Sequence, residues 1–440
     1  MSTTTSTYLQ LQEKPMTFHR GFFTTEEQSN VSNSKPEETA SGRQLVETKQ
    51  TVLLLKGVRE QYTLVNDHDI PSVSNPGEVL VKVLAIGLNP IDWKAPAFNF
   101  GIPRLPWING RDLAGQVVQV PSDNSRLRVG DIVLVPSTDY RDIRKAAFQE
   151  YAITTHYNAA RIPSTTSIHA SASVGVAFVA AALALGVSFG VDFSTISQSP
   201  GPNLVNVVNQ LNRNDVPEDI REECFSSIRE TERPQRGDWL AIWGGMLILV
   251  IVKSISTLTG ILEASTTTGL VTLELAKLAG LRVICIADAA RYGSKLLAAG
   301  ADVLVDRQNP DRAVDVIRGV TDGKLRYAMD IVGRDTATLL QKTLDLTGHA
   351  HLLGLTGLPK ERDERIRYHT VPIKLFHESP KVGESLVCWL ENLLQSTTLT
   401  LPDIVQADGG LEGINAALET LRDGSVSGKR IVMDLGSSRS

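Results

Sequence analysis

The chain has 440 residues, 42% hydrophobic and 21% charged, a balance that fits a soluble globular protein of two or three domains and not a fibrous or disordered one. A formal net charge of −5 with no basic block speaks against a nucleic-acid partner. Three scattered cysteines, Cys224, Cys285 and Cys388, are too few for a disulfide framework and share no metal-binding spacing, so they read as free thiols of a reducing compartment.

Residues 1–49 are rich in Ser, Thr, Glu and Gln and predict a disordered tail, with neither a signal-peptide core nor an Arg-rich transit sequence. Short strands follow at 51–56, 61–65, 78–86, 115–120 and 131–135, with turn signals at Pro76-Gly77 and Gly130-Asp131. Their spacing predicts a small β-barrel-type domain. The uncharged run 170–190 reaches the ~20 residues that span a membrane, but its Ala, Ser and Gly content predicts a buried helix instead. Residues 192–236, with Gly201-Pro202 and a charged stretch, predict a surface excursion with one short helix. A soluble, cytoplasmic protein is expected.

From residue 237 strands and helices alternate. Strands are predicted at 238–243, 282–287, 302–306, 327–332, 350–355 and 430–434, and helices at 270–279, 310–320, 335–346, 384–394 and 411–422. The first unit, over residues 237–302, has the parts of a mononucleotide-binding fold: an apolar strand ending on Gly244-Gly245, the turn Ser265-Thr266-Thr267-Thr268-Gly269, a helix, a second strand, and Asp288 at its end. In such a unit the helix N-terminus offers amides and a positive dipole to a diphosphate, and glycine lets the backbone come close. An apolar segment, residues 246–264, separates the two halves of the turn. Deleting it leaves a compact Gly-Gly-Ser-Thr-Thr-Thr-Gly turn. The segment reads as translated intron; the alternative is a genuine inserted helix or hairpin that displaces the phosphates.

The ordered set Gly87-Leu-Asn-Pro-Ile-Asp-Trp-Lys94, Gly110-Arg-Asp-Leu-Ala-Gly115, Val129-Gly-Asp131, the interrupted glycine turn, Gly300-Ala-Asp302, Tyr327-Ala-Met-Asp330 and Ser427-Gly-Lys429 resembles the zinc-independent medium-chain dehydrogenase/reductases. The similarity runs from Thr51 to Leu435 and lies in the quinone-reductase and enoyl-reductase branch, nearest fungal oxidoreductases related to the trans-enoyl reductases that serve polyketide synthases. The resemblance implies an α/β chain: a GroES-like, β-barrel-type catalytic domain over residues 50–172 and again 378–440, with a Rossmann-like doubly wound parallel sheet over 173–377 between them. It implies NAD(P)H-dependent reduction of an activated C=C bond or a quinone, a small-molecule substrate, and a polyketide synthase as the class of protein partner. A homo-oligomer is compatible with it.

Where zinc-dependent relatives place a cysteine and then a histidine, this chain has Asn89-Pro90 and Arg111-Asp112, so no zinc is expected. By resemblance, Ile91, Asp92, Trp93 and Lys94 line the nicotinamide side of the cleft. Lys94 and Asp92 are the weak catalytic candidates, and Asp92 also suits a loop-holding role through backbone hydrogen bonds. Some relatives take a proton from a tyrosine just beyond this motif, but residues 95–100 hold no hydroxyl, and no general acid is identified. Asp288 lies 19 positions after Gly269 (288 − 269), the spacing of an acid that binds the ribose of NAD. Arg291, Tyr292, Lys295 and Arg307 can surround a 2′-phosphate, and NADP(H) is favoured over NAD(H). Gly354 and Leu355 sit where relatives bring backbone to the nicotinamide, and Lys429 reaches the cofactor by resemblance. His349, His351, His369 and His377 show no metal spacing and read as surface or core residues. A competing reading is a non-catalytic binding protein whose cofactor site the 246–264 segment disrupts.

Overall fold

The computed structural model describes residues 48–121, 125–244, 266–426 and 428–436. The expected tail up to residue 47, the 246–264 segment, Gly245, Ser265 and Ser427 lie outside the described residues.

The first strands are β1 (Lys49–Leu55), β2 (Thr63–Asp69), β3 (Glu78–Gly87), β4 (Trp107–Ile108), β5 (Asp112–Gln119), β6 (Ile132–Pro136), β7 (Tyr151–Thr155) and β8 (Ala160–Arg161). Apolar side chains of the longer strands point to a shared interior. Val79, Val81, Val83, Leu113, Val117, Val133 and Val135 meet in one core. The long strand β3 is the hub: it pairs antiparallel with β5 along one side, and with β7 along half of the other. Gly87 at its end permits a close approach, because a Cβ there would overlap the Ala172 carbonyl.

Six parallel strands form the second sheet: β9 (Trp239–Trp243), β10 (Arg282–Ala287), β11 (Val303–Asp306), β12 (Tyr327–Asp330), β13 (Ala350–Gly354) and β14 (Ile366–His369). Their order is β11-β10-β9-β12-β13-β14, which is the 3-2-1-4-5-6 order of a dinucleotide-binding fold. The order reverses between β9 and β12, so a crevice opens beyond Trp243 and Asp330 at the carboxyl ends. Strand β14 was not anticipated, since Ile-Arg-Tyr-His carries only one aliphatic residue; pairing with β13 decides it. The last strands, β15 (Ile404–Ala407) and β16 (Arg430–Asp434), return to the first sheet, where β16 pairs with β3. That sheet therefore draws on both ends of the chain.

The helix Gly175–Leu183, extended by one wide turn to Ser188, is buried almost throughout, as its apolar composition required. Among the described residues no helix is long and apolar enough to cross a membrane. The expectation for residues 192–236 needs correction. They form two helices, Leu204–Asn209 and Glu218–Ser226, and bury Phe193, Leu204, Val208, Val216 and Ile220 in the main core. Leu204 with Val208, and Ile220 with Cys224, are i, i+4 pairs that give each short helix an apolar stripe.

Candidate active site

The cleft lies between the two sheets. One wall is the helix Pro90–Phe98. Asn89 precedes it in extended conformation, Pro90 fills its first position where a missing N–H costs nothing, and the Asp92 carboxylate accepts from the Asn89 amide at 2.8 Å. The opposite wall is the turn from Gly354 to Lys360, with Ile331 and Thr268 beside it and the helix carrying Val176, Ala177 and Ala180 as floor. Phe100 and Tyr140 close the sides. The atom-free space is about 2230 Å³ including its open mouth, room for a nicotinamide with a substrate.

The motif 91–94, expected to line the cleft as a block, is a helical turn and therefore splits. Ile91 and Lys94, three residues apart, face the cleft. Asp92 and Trp93 do not line it. Asp92 turns into the protein at 1% exposure, where burial pushes its carboxyl up to about 7 against the Asn89 hydrogen bond and the Arg111 charge. Trp93 packs on Phe98, with Arg422 over its ring.

Behind the helix, three chain-distant residues interlock. Arg430 donates to the Asn89 side-chain oxygen at 2.9 Å, and Asn89 donates to Asp112 at 2.9 Å. The second Asp112 oxygen accepts from the Val176 amide at 2.8 Å, which fixes the start of the floor helix. Burial pushes the Asp112 carboxyl up, opposed by the Arg430 charge and the Asn89 bond. The neighbouring Arg111 is also buried, and its guanidinium lies 4.1 Å from the centre of the Tyr140 ring. This set does not fit zinc. A guanidinium cannot ligate, the Asn89 amide is engaged on both sides, and Asp112 already has three partners.

A second cavity has about 620 Å³ of atom-free space. Gly244, Thr267, Gly269, Tyr292 and Lys295 line it from the parallel sheet, and Pro402 and Gly428 from the returning chain. In the first turn of the helix Thr266–Leu278, Thr267 borders this cavity and Thr268 borders the cleft. Asp288 caps the helix Ala289–Ala298 by accepting from the Arg291 amide at 3.2 Å. The side chains of Arg291 and Arg307 approach its other oxygen at 3.8 and 3.9 Å. Arg307 is mostly buried, and one of its terminal nitrogens has no hydrogen-bond partner, an orphaned cationic donor suited to an anion. Lys295, also expected near a 2′-phosphate, instead pairs with Asp403 at 2.8 Å. Lys429 is exposed and lines neither cavity.

Two family models match in tandem: an alcohol dehydrogenase GroES-like domain over residues 75–164 and a zinc-binding dehydrogenase over residues 267–379. They fall on the antiparallel and the parallel sheet, in that order. In both sheets, then, the chain is similar to the medium-chain dehydrogenase/reductases. Among curated relatives, this chain is 24% identical to trans-enoyl reductase caaB of Aspergillus niger, covering 89% of this chain and 99% of that one. It is 27% identical to trans-enoyl reductase BOA5 of Botryotinia fuckeliana, covering 85% and 96%. It shares its fold with Escherichia coli quinone oxidoreductase, a structure solved with NADPH, at TM-score 0.60 and 17% identity, covering 88% and 99%. An alcohol dehydrogenase superfamily protein from Novosphingobium aromaticivorans aligns with TM-score 0.64 at 18% identity over 88% and 99%.

Sequence reasoning missed Tyr140 and Arg430. Neither lies in a motif: Tyr140 is in an irregular loop after β6, and Arg430 is 318 positions (430 − 112) from the carboxylate it faces. A buried arginine at the start of an apolar strand was the only signal, since such a charge requires a partner.

Proposed function

We propose that this chain is an NADPH-dependent reductase of an activated C=C bond, such as an enoyl thioester, or of a quinone, acting in the cytoplasm and without zinc. The observation that carries this reading is that consecutive residues of one helix N-terminus border two cavities: Thr268 borders one large enough for a nicotinamide with substrate, and Thr267 borders one lined also by Ala287, the residue before Asp288 with its two arginines. The amides of the first helical turn, with Gly244 and Gly269, would hold the diphosphate. Arg307 and Arg291 favour a 2′-phosphate over a bare ribose, and Asp288 would accept from the ribose. When bound, the nicotinamide supplies the hydride. Ile91, Lys94, Gly354 and Leu355 would orient the ring and the substrate, and the apolar floor of Val176, Ala177 and Ala180 keeps water from the reacting carbons. With Asn89, Arg111 and Asp112 where a metal site would need ligands, the substrate's own carbonyl must take up the electron density. The curated relatives named trans-enoyl reductases support an enoyl substrate, and a polyketide synthase is the partner class that this reading brings with it.

The test is thermal unfolding of the purified chain with each nucleotide, followed by turnover on an enoyl thioester and on a quinone. A nucleotide at 100 times its dissociation constant adds about 2.7 kcal/mol of stability. A shift with NADPH larger than with NADH, and NADPH oxidation that requires the acceptor, is the expected result. A larger shift with NADH overturns the cofactor preference. No shift with either favours a non-catalytic binding protein.

A further inference from the structure

We propose that the substrate of this reductase carries an apolar acyl tail, and that the tail runs from the cleft past Tyr140 into a groove walled by Ile102 and Pro103. The proposal rests on the reductase reading above and narrows its substrate class. Three segments carry the cleft wall on into this groove. Phe100 lines the cleft, and Gly101, Ile102 and Pro103 line the groove; Ile373 lines the cleft, and its neighbour Lys374 the groove; Tyr140 lines both. The groove is open and has about 640 Å³ of atom-free space including its mouth, within the range of ligand pockets.

Its chemistry selects a neutral, apolar occupant. The two cations that line it already have partners: Arg141 pairs with Asp139 at 3.5 Å and with Glu378, and Lys374 pairs with Asp219. The Thr138 hydroxyl and the His377 Nδ1 lie 2.8 Å apart and serve each other. An anionic ligand would have to compete with these carboxylates, whereas an alkyl chain gains simply by leaving water. Arg334, Lys360 and Arg362, which form no ion pair among the described residues, line the cleft and not the groove. A substrate with a polar head and an apolar tail therefore finds a separate place for each. The stretch that walls both spaces also keeps apolar surface in water: Phe98, Phe100 and Leu105 are exposed at 43%, 44% and 37%. Apolar residues exposed together beside a groove mark a binding surface, where single scattered ones do not.

Tyr140 sets the width of the passage. Its ring is held by the Arg111 guanidinium, 4.1 Å from the ring centre, and Arg111 is itself buried. A ring pinned against a buried cation is a fixed edge, and such an edge discriminates by the size of what passes it.

The test uses the full chain with NADPH and straight-chain trans-2-enoyl thioesters of N-acetylcysteamine with four, six, eight and ten carbons. In the wild-type chain kcat/KM should rise about threefold per added methylene as the groove fills, mainly through KM. Ile102→Asp places a charge in the groove and should lower the ratio of ten-carbon to four-carbon kcat/KM about 10-fold. Tyr140→Trp keeps an aromatic face for Arg111 and narrows the passage, and it should lower the same ratio. Both substrates are read on one preparation, so partial unfolding or a general loss of activity cancels from the ratio. A flat profile from four to ten carbons in the wild-type chain, or a ratio within twofold of wild type in either variant, overturns the inference and leaves the reductase reading standing. Turnover of none of the thioesters by the wild-type chain overturns the C=C reading and this inference with it.

Discussion

Two buried polar clusters hold this molecule together, and they do so by opposite means. Behind the cleft, Asn89, Asp112 and Arg430 join three distant segments through charged hydrogen bonds. Under the parallel sheet, Glu223, His369 and His351 form a chain through imidazoles: His369 lies 2.9 Å from Glu223 and 3.0 Å from His351, which stacks on Tyr327. The first cluster places a charge and its partner where water cannot reach, so removing one member leaves an uncompensated ion. The second keeps His351 neutral, because burial pushes its pKa down to about 3, and it is sensitive to protons rather than to the loss of a partner. The charged cluster sits beside the cleft, where it fixes a wall; the imidazole cluster anchors the helix Glu218–Ser226 on the far strands.

The charged cluster should give the largest effect. Arg430→Met is expected to cost about 3 kcal/mol in urea unfolding, since Asp112 remains buried with only the Asn89 and Val176 bonds. Adding Asp112→Asn to that variant should recover part of the loss, and a further loss would show that the charges do not act as a pair. The imidazole cluster comes next, and its effect depends on pH. His351 ordinarily titrates near 6.5 and is lowered to about 3 in the fold, so between those values the unfolded chain binds a proton that the folded chain refuses. Stability should therefore fall on acidification through this window by about 1.4 kcal/mol per pH unit. In His351→Leu that slope should flatten; an identical slope would assign the acid sensitivity elsewhere. The exposed pair Lys295–Asp403 is the control. Lys295→Ala should change stability by less than about 1 kcal/mol, and less again in high salt, because both partners are hydrated. A cost equal to that of Arg430→Met would erase the distinction between buried and exposed charge on which the comparison depends.

Much of this was legible in the sequence. Alternation marked most strands of the antiparallel sheet, short apolar runs marked most of the parallel one, and the 3.6-residue period marked the helices near 310–320, 335–346, 384–394 and 411–422. Periodicity states which face of an element is apolar, and that is enough to order strands and helices along the chain. It failed at residues 192–236, where short helices alternate with polar turns, and at β14, whose four residues carry one aliphatic side chain. The family resemblance treated 91–94 as one unit, although a helical turn must aim its members in different directions.

The sequence alone determined the fold class and the division between an antiparallel and a parallel sheet. These follow from local patterns of apolar residues, glycine and proline, which act over a few positions of the chain. Only the tertiary structure decided that Ile91 and Lys94 face the cleft while Asp92 does not, that Lys295 belongs to Asp403, that Arg430 closes on Asn89 and Asp112, and that Tyr140 meets Arg111 at the cleft. Each of these depends on side-chain direction or on partners far apart in the chain, and such pairings are fixed by packing, which no local pattern encodes.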